Sequence, residues 1–390
     1  MRRLIFISII TIFTGTVFSL AWADVTIDQV REEIQKELQK SNKPAYNPNV
    51  FNPAMGLVLD SVISNTTANR SDFNFRSAEI NLQAAVDPFA NLYAVFNGTP
   101  DGVEVEEAFF MTTSIPGLTI RGGRMFANFG RLGHWHDHEL PFVNRPPSLD
   151  TFIGGEAQGD GVEFMHLFKT PFFLQGTLGA YNKLGADNNR LADTNGGPGN
   201  PNGHPWDANT YLARLFSYIP IGDNYGVDLG LSQAETPRAY FTNGNPVDNH
   251  HSARSLTGLD VTFRYEPLVQ NVFRKLIWGS EVFRNSELRQ PDAAVQEFPR
   301  KTAWGGYSYM DWRFSRIFST GPFFDWAQDL DTPDIKTNTG GAMLNYIPSE
   351  FQRWRLQVSR SKKEGVREDN QVYVQWFMTI GTHVHVFKDR

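Results

Sequence analysis

A chain of 390 residues would ordinarily make two or three soluble domains at about 150 residues each. Its composition points elsewhere: apolar residues are 41% of the chain and mean hydropathy is −0.37, too polar for a bundle of membrane helices, yet aromatics reach 13% with 33 Gly. The absence of Cys excludes a disulfide scaffold, a Cys-based zinc site and a thiol nucleophile, and a net charge of −6 gives no reason to expect nucleic acid as a partner. Many aromatics and glycines in a polar chain suit a sheet whose apolar residues alternate with polar ones.

In chain order, residues 1–23 read as a secretory signal, with Arg2 and Arg3, an apolar run from Leu4 to Leu20, and Ala21-Trp22-Ala23 as the cleavage site. Residues 24–52 read as a short periplasmic helix and linker. Ile27, Val30, Ile34 and Leu38 make one apolar stripe, Thr26 and Gln29 have capping-box spacing, and Pro44 lies beyond the end. That stripe has two candidate partners, the periplasmic end of a barrel or copies of itself in a small coiled coil.

From Pro53 onward the period becomes two. Leu259, Val261, Phe263 and Tyr265 share one face, and Asp260, Thr262, Arg264 and Glu266 the other. The same alternation runs through Ala78 to Val86, Tyr307 to Phe314 and Arg353 to Val358. Short Pro-bearing turns, such as Asp87-Pro88, Thr170-Pro171 and Ile347-Pro348, alternate with longer polar connections near 64–72, 97–102, 127–158, 183–208, 235–254, 286–301, 328–336 and 362–369. This predicts an all-β chain, a transmembrane antiparallel β-barrel of about sixteen strands over residues 53–390, set in the lipid of a bacterial outer membrane with a water-filled lumen.

The longest connection, Ala127 to Gln158, is the third external loop and carries His134, His136, Asp137, His138 and Glu139. Three His at i, i+2 and i+4 share a face in an extended segment, and with neighbouring carboxylates they suit zinc or another divalent ion. Two other readings stay open: a pH-sensitive patch, and a polar loop whose His and Asp bond to its own backbone. The cluster does not match the H-E-x-x-H pattern, which argues against a hydrolytic metal centre. Arg131, Arg145, Asp150 and Glu156 lie around it, and alternation turns Arg121, Arg214, Arg264, Arg313, Arg353 and Arg355 inward. Loop acids opposite wall arginines would set a transverse field that filters ions. The candidate constriction is therefore Arg131, Arg145, Asp150, Glu156, Arg121, Arg264 and Arg313.

The stretches Asn52 to Asp60, Val103 to Phe109, Gly123 to Gly130 and Gly159 to Phe164, with Phe142-Val143-Asn144 after the His-rich run, resemble the zinc-regulated TonB-dependent outer-membrane receptors and the phosphate-selective porins. The resemblance covers about a third of the chain. It implies a third loop folded into the lumen to form the constriction, and a homotrimer. Only Asp24 to Asn52 precede the first strand, too few for a transporter plug, so the expectation is a plugless porin. The expected function is passive diffusion of small polar solutes or ions, without enzymatic activity or a required cofactor, and with zinc or another divalent metal a candidate at the third loop. The alternatives are a metal uptake receptor working with a periplasmic partner, and a barrel enzyme, for which no nucleophile stands out.

Overall fold

The period-two segments fold as strands. In a computed structural model, which describes residues 53–185, 205–240, 247, 252–269, 274–289 and 297–381, there are sixteen among the described residues. They are β1 (Ala54–Thr66), β2 (Arg70–Asp87), β3 (Ala90–Thr99), β4 (Gly102–Thr112), β5 (Leu118–Phe126), β6 (Gln158–Leu167), β7 (Phe173–Tyr181) and β8 (Thr210–Ile221). The second half comprises β9 (Tyr225–Thr236), β10 (Arg254–Tyr265), β11 (Lys275–Leu288), β12 (Arg300–Arg313), β13 (Phe318–Gln328), β14 (Lys336–Ser349), β15 (Gln352–Lys363) and β16 (Asp369–Gly381). The expected signal segment 1–23 and the helix at 26–39 lie outside the described residues.

Each strand pairs antiparallel with its sequence neighbours, and β16 returns to β1 with Gly56 opposite Gly381 and Thr66 opposite Gln371. The closed sheet has no edge, which lets its backbone polar groups pair internally and is what a lipid environment demands. Side chains divide as the period requires. On β10, Leu259 is 59% and Val261 43% exposed on the outer surface, whereas Asp260 and Thr262 are buried on the inner one. Trp354, Leu356 and Val358 face out on β15, and Arg353, Arg355 and Gln357 face in. A soluble sandwich buries its apolar face; this barrel does the reverse. It is the fold of an outer-membrane β-barrel.

The long connections 127–157, 182–209, 237–253 and 289–299 leave one end, and short turns such as 88–89, 222–224 and 350–351 close the other. By the outer-membrane pattern the first end is external and the second periplasmic. Two expected long loops are corrected: 64–72 and 97–102 are tight turns at 67–69 and 100–101. Ser64, Asn65, Ser71 and Asp72 read as loop because they are polar, but they continue the ladder of β1 and β2 beyond the lipid into water. β2 runs for 18 residues, well over the roughly 10 needed to cross a bilayer.

The outer face generates a test. Leu259→Arg, near the middle of β10, should lower unfolding stability in lipid vesicles by about 2–4 kcal/mol, while Leu259→Met should cost less than about 1.5 kcal/mol. Equal denaturant midpoints for the two variants would show that this face does not meet lipid.

Candidate functional site

Residues 127–157, between β5 and β6, do not extend outward from the barrel; they fold into it. Phe129, Leu132, Leu140, Leu149, Phe152 and Ile153 have no exposed surface, and they pack with the wall residues Ile277, Phe283, Tyr307, Tyr309 and Met343 in one apolar cluster. The loop contains a short helix, α1 (Pro147–Ile153), which the sequence reading did not predict. Pro147 suits the first helical position because its missing N–H needs no partner there. Gly154 ends the helix in the left-handed conformation at φ 75°, its N–H bonded to Asp150 O at 2.8 Å.

A segment buried in this way must find partners for its backbone groups. The wall provides them by type. Carboxylates accept from loop N–H groups: Glu107 from Phe126 at 2.9 Å at the loop's foot, Glu163 from Asn128 at 2.7 Å, Glu281 from Arg131 at 3.2 Å, and Asp325 from Ser148 at 3.1 Å. Arginines donate to loop carbonyls: Arg76 to Val143, Arg254 to Phe152, Arg353 to His138 and Arg355 to Phe142. The anchors come from β2, β4, β6, β10, β11, β13 and β15, so the loop is gripped around most of the circumference. Gly130 is needed for one of these contacts. It sits at φ 62°, and a Cβ there would lie 2.0 Å from Glu281 Oε1.

The expected five-residue cluster is dispersed. A single 3-10 turn at Asp137–Glu139 replaces the extended segment, and three residues per turn spread the side chains instead of aligning them. His134 lines a cavity of about 240 Å³ on the periplasmic side, with Arg131, Arg214, Asp228, Asp260 and Arg264. Asp137 pairs with Arg145 at 2.6 Å and Arg76 at 3.4 Å. The Glu139 carboxylate accepts the His136 backbone N–H at 3.2 Å. Only His136 and His138 stay together, their rings 5.4 Å apart in a stack that runs from Phe126 to Phe377.

These two imidazoles meet carboxylates that sequence reasoning did not name as site residues. His136 Nδ1 is 3.1 Å from Glu106 and 3.7 Å from Glu79, its Nε2 is 3.3 Å from Glu107, and His138 Nδ1 is 2.9 Å from Glu79. Strict alternation would send Glu106 and Glu107 to opposite faces. Instead Val95 pairs with Glu107 and Phe96 with Val105, leaving Glu106 in a bulge, and both carboxylates turn inward at 7% and 3% exposure. A similar irregularity, with Asp60 opposite Ser77 and Ser61 opposite Phe75, accommodates Arg76 on β2. The available signal was inward acids on several strands at one level: alternation alone places Glu79, Glu163, Glu281 and Asp325 inside.

Of the expected field of loop acids opposite wall arginines, Asp137 does face the wall residue Arg76, while the arginines named for it are engaged in other contacts. Arg145 lies within the loop and joins Asp137 and Glu156, each at 2.6 Å. Arg131 stacks near Trp135 and bonds to the Tyr309 hydroxyl, with Asp228 at 3.7 Å. Arg121 pairs with Glu163, Arg214 with Asp260 at 2.7 Å, and Arg264 with Asp228 at 2.7 Å, all along the wall. Arg353 and Arg355 hold loop carbonyls, as above. Arg313 stands near the periplasmic end of β12, opposite Lys275 and Ser319, away from the loop.

Burial disfavours a charge on His136, but Glu106, Glu107 and Glu79 outweigh it and hold the imidazole well above its ordinary pKa. Burial and the His136 charge push His138 down to about 3. Against burial, Arg145 and Arg76 lower Asp137 to about 2. Burial raises Asp150 and Glu156 to about 7 despite the nearby Arg145. On the external side of the loop, a cavity of about 410 Å³ is lined by Glu79, Asp101, Glu104, Glu106, Asp137 and Glu156 with Arg76. A second, of about 220 Å³, includes Asp150 and Asp325 beside Phe142, Tyr307 and Phe323.

No family model matches the chain. It is 29% identical over 330 residues to an uncharacterised protein of Aquifex aeolicus, covering 80% of this chain and 69% of that one. Among solved structures it is similar to the trimer form of the outer membrane protein OmpT of Vibrio cholerae, with TM-score 0.53 and 10% identity over 84% of this chain and 99% of that one. The outer membrane channel DcaP of Acinetobacter baumannii gives 0.54 and 9% over 84% and 97%. OmpF of Salmonella typhi, in complex with daunomycin, gives 0.53 and 11% over 84% and 97%. At these identities the likeness is one of fold.

The anchoring of the loop leads to a prediction. Gly130→Ala should destabilise the loop by about 1–2 kcal/mol from left-handed strain alone, and more through its collision with Glu281. Limited proteolysis in detergent should cut the 127–157 loop faster in the variant while strand content by circular dichroism stays constant. An unchanged cleavage rate would mean that the loop does not depend on this contact.

Proposed function

We propose that the protein is an outer-membrane channel for passive diffusion of small polar solutes or ions, with a preference for cations, and not an enzyme. The observation that carries this reading is a barrel whose apolar strand residues face outward, with charged cavities of about 240 and 410 Å³ on the two sides of the in-folded loop. The external cavity sets six carboxylates against one arginine, and an acidic funnel raises the local concentration of cations. The fold it shares with a solved outer membrane channel supports this reading. The zinc or divalent-metal role expected from the His-rich loop belongs to the proposal too, with divalent cations as candidate solutes. Stepwise conductance of the purified protein in a planar bilayer, cation-selective in a salt gradient, is the expected result. A membrane that stays sealed at every protein level would end the channel reading.

The selectivity should depend on pH. Asp150 and Glu156, both near pKa 7, are ionised above neutrality and neutral below it. Lowering pH from 8 to 6 therefore removes negative charge from the external side and should reduce cation preference. The paired substitution Asp150→Asn and Glu156→Gln should flatten that part of the profile; a profile the same as wild type would clear these residues of the effect.

We also propose a homotrimer, supported by the trimer form of one structural neighbour. Light scattering in mild detergent should give the mass of three chains, and a monomer mass would exclude it.

A further inference from the structure

The loop that the channel reading places in the lumen meets the wall at one point with side chains that are all metal ligands by type. The ligand atoms of Glu79 on β2, Glu106 on β4 and His136 on the loop all lie within 4.8 Å of one another. His136 Nδ1 is 3.1 Å from Glu106 Oε2 and 3.7 Å from Glu79 Oε2. Ligand atoms bonded to a tetrahedral zinc ion at about 2.0–2.1 Å stand roughly 3.4 Å apart, so these separations match the edges of such a site. All three residues are buried, at 1%, 2% and 7% exposure for His136, Glu79 and Glu106.

The surroundings are those of a ligand set already oriented. A metal-binding imidazole directs its other nitrogen to a carboxylate or carbonyl, which fixes the tautomer and the ring plane. Here His136 Nε2 faces Glu107 Oε2 at 3.3 Å, leaving Nδ1 toward Glu79 and Glu106. The other oxygen of Glu79 is held by His138 Nδ1 at 2.9 Å. His136 and His138 stack between Phe126 and Phe377, which restricts ring rotation. One imidazole and two carboxylates form a donor set for a borderline divalent ion, with a fourth position left for water.

We propose that Glu79, Glu106 and His136 bind one divalent transition-metal ion, with Glu107 and His138 as positioning residues, and that the ion latches the lumen loop to β2 and β4. The ligands come from three elements, so the ion cross-links segments separated by 27 residues or more of chain. The site differs from the one the sequence suggested: His134, Asp137 and Glu139 take no part in it. It deepens the channel reading only in requiring the loop inside the folded barrel, and its occupancy is measured without any conduction.

The test is calorimetric titration of the full-length folded protein in detergent with Zn²⁺, alongside Ca²⁺ and Mg²⁺. One zinc per chain is expected, bound at least a hundredfold more tightly than either of the other two ions. His136→Ala and, separately, Glu106→Gln should each weaken zinc binding tenfold or more. Glu107→Gln should weaken it by about tenfold, as loss of an orienting partner does. His134→Ala should leave the affinity within twofold. Strand circular dichroism and heat-modifiable gel mobility establish that each variant is folded, and the Glu106 variant decides the matter if the His136 variant is not. In a cobalt(II) titration, a visible band typical of a four-coordinate nitrogen–oxygen site should grow in and be lost with Glu106→Gln. A folded wild type that takes up no zinc would overturn the proposal and identify the cluster as an imidazolium held by carboxylates alone. So would folded variants at Glu106 and His136 that bind as wild type does. Either result leaves the conductance prediction standing, and a sealed bilayer would leave the zinc result standing.

Discussion

The structure depends on a problem of hydrogen bonding. A loop of about thirty residues lies inside a barrel, where its N–H and C=O groups cannot pair in a ladder and are largely shut off from water. Each such group left without a partner would cost about 1–3 kcal/mol. The wall meets this demand with charged side chains of two kinds: carboxylates from β4, β6, β11 and β13 accept, and arginines from β2, β10 and β15 donate. Charge-assisted bonds of this type are stronger than neutral ones, which suits a segment with little regular structure of its own. The inward-facing charges therefore hold the loop in place.

The same constraint explains the departures from regular strands. A strand presents only alternate residues to the lumen, which is too sparse where several groups must converge. The bulge at Glu106 places two carboxylates beside one imidazole, and the register shift next to Arg76 brings its guanidinium within reach of Asp60, Asp137 and the Val143 carbonyl. Bulges add an inward side chain at the cost of one ladder position. Both lie on the side of the barrel that lines the acidic external cavity.

Much of the fold was legible in the sequence because alternation is a local property. Leu259 to Glu266 and Arg353 to Val358 declare their faces within a few residues, and the third loop stands out by length. The polar strand extensions at 64–66 and 70–72 were misread because polarity marks both a loop and a strand that has left the lipid. The candidate site was less legible, for two physical reasons. A single 3-10 turn separated residues that an extended segment would have aligned, sending His134 to one cavity and Asp137 to an ion pair with Arg145. The partners of His136 and His138 stand 29 to 59 positions away on other strands, and a bulge that no composition rule marks turned one of them inward.

The ring column has a further consequence for the order in which the molecule assembles. It runs from Phe126 at the foot of the loop, through His136 and His138, to Phe377 on β16, where the Arg353 guanidinium lies 5.6 Å over the ring. Phe377 belongs to the last strand, whose pairing with β1 closes the circle. The loop appears early in the chain, yet it cannot complete its contacts until the final strand is in position. The last of those contacts, His138 on Phe377, therefore waits on the strand that closes the seam.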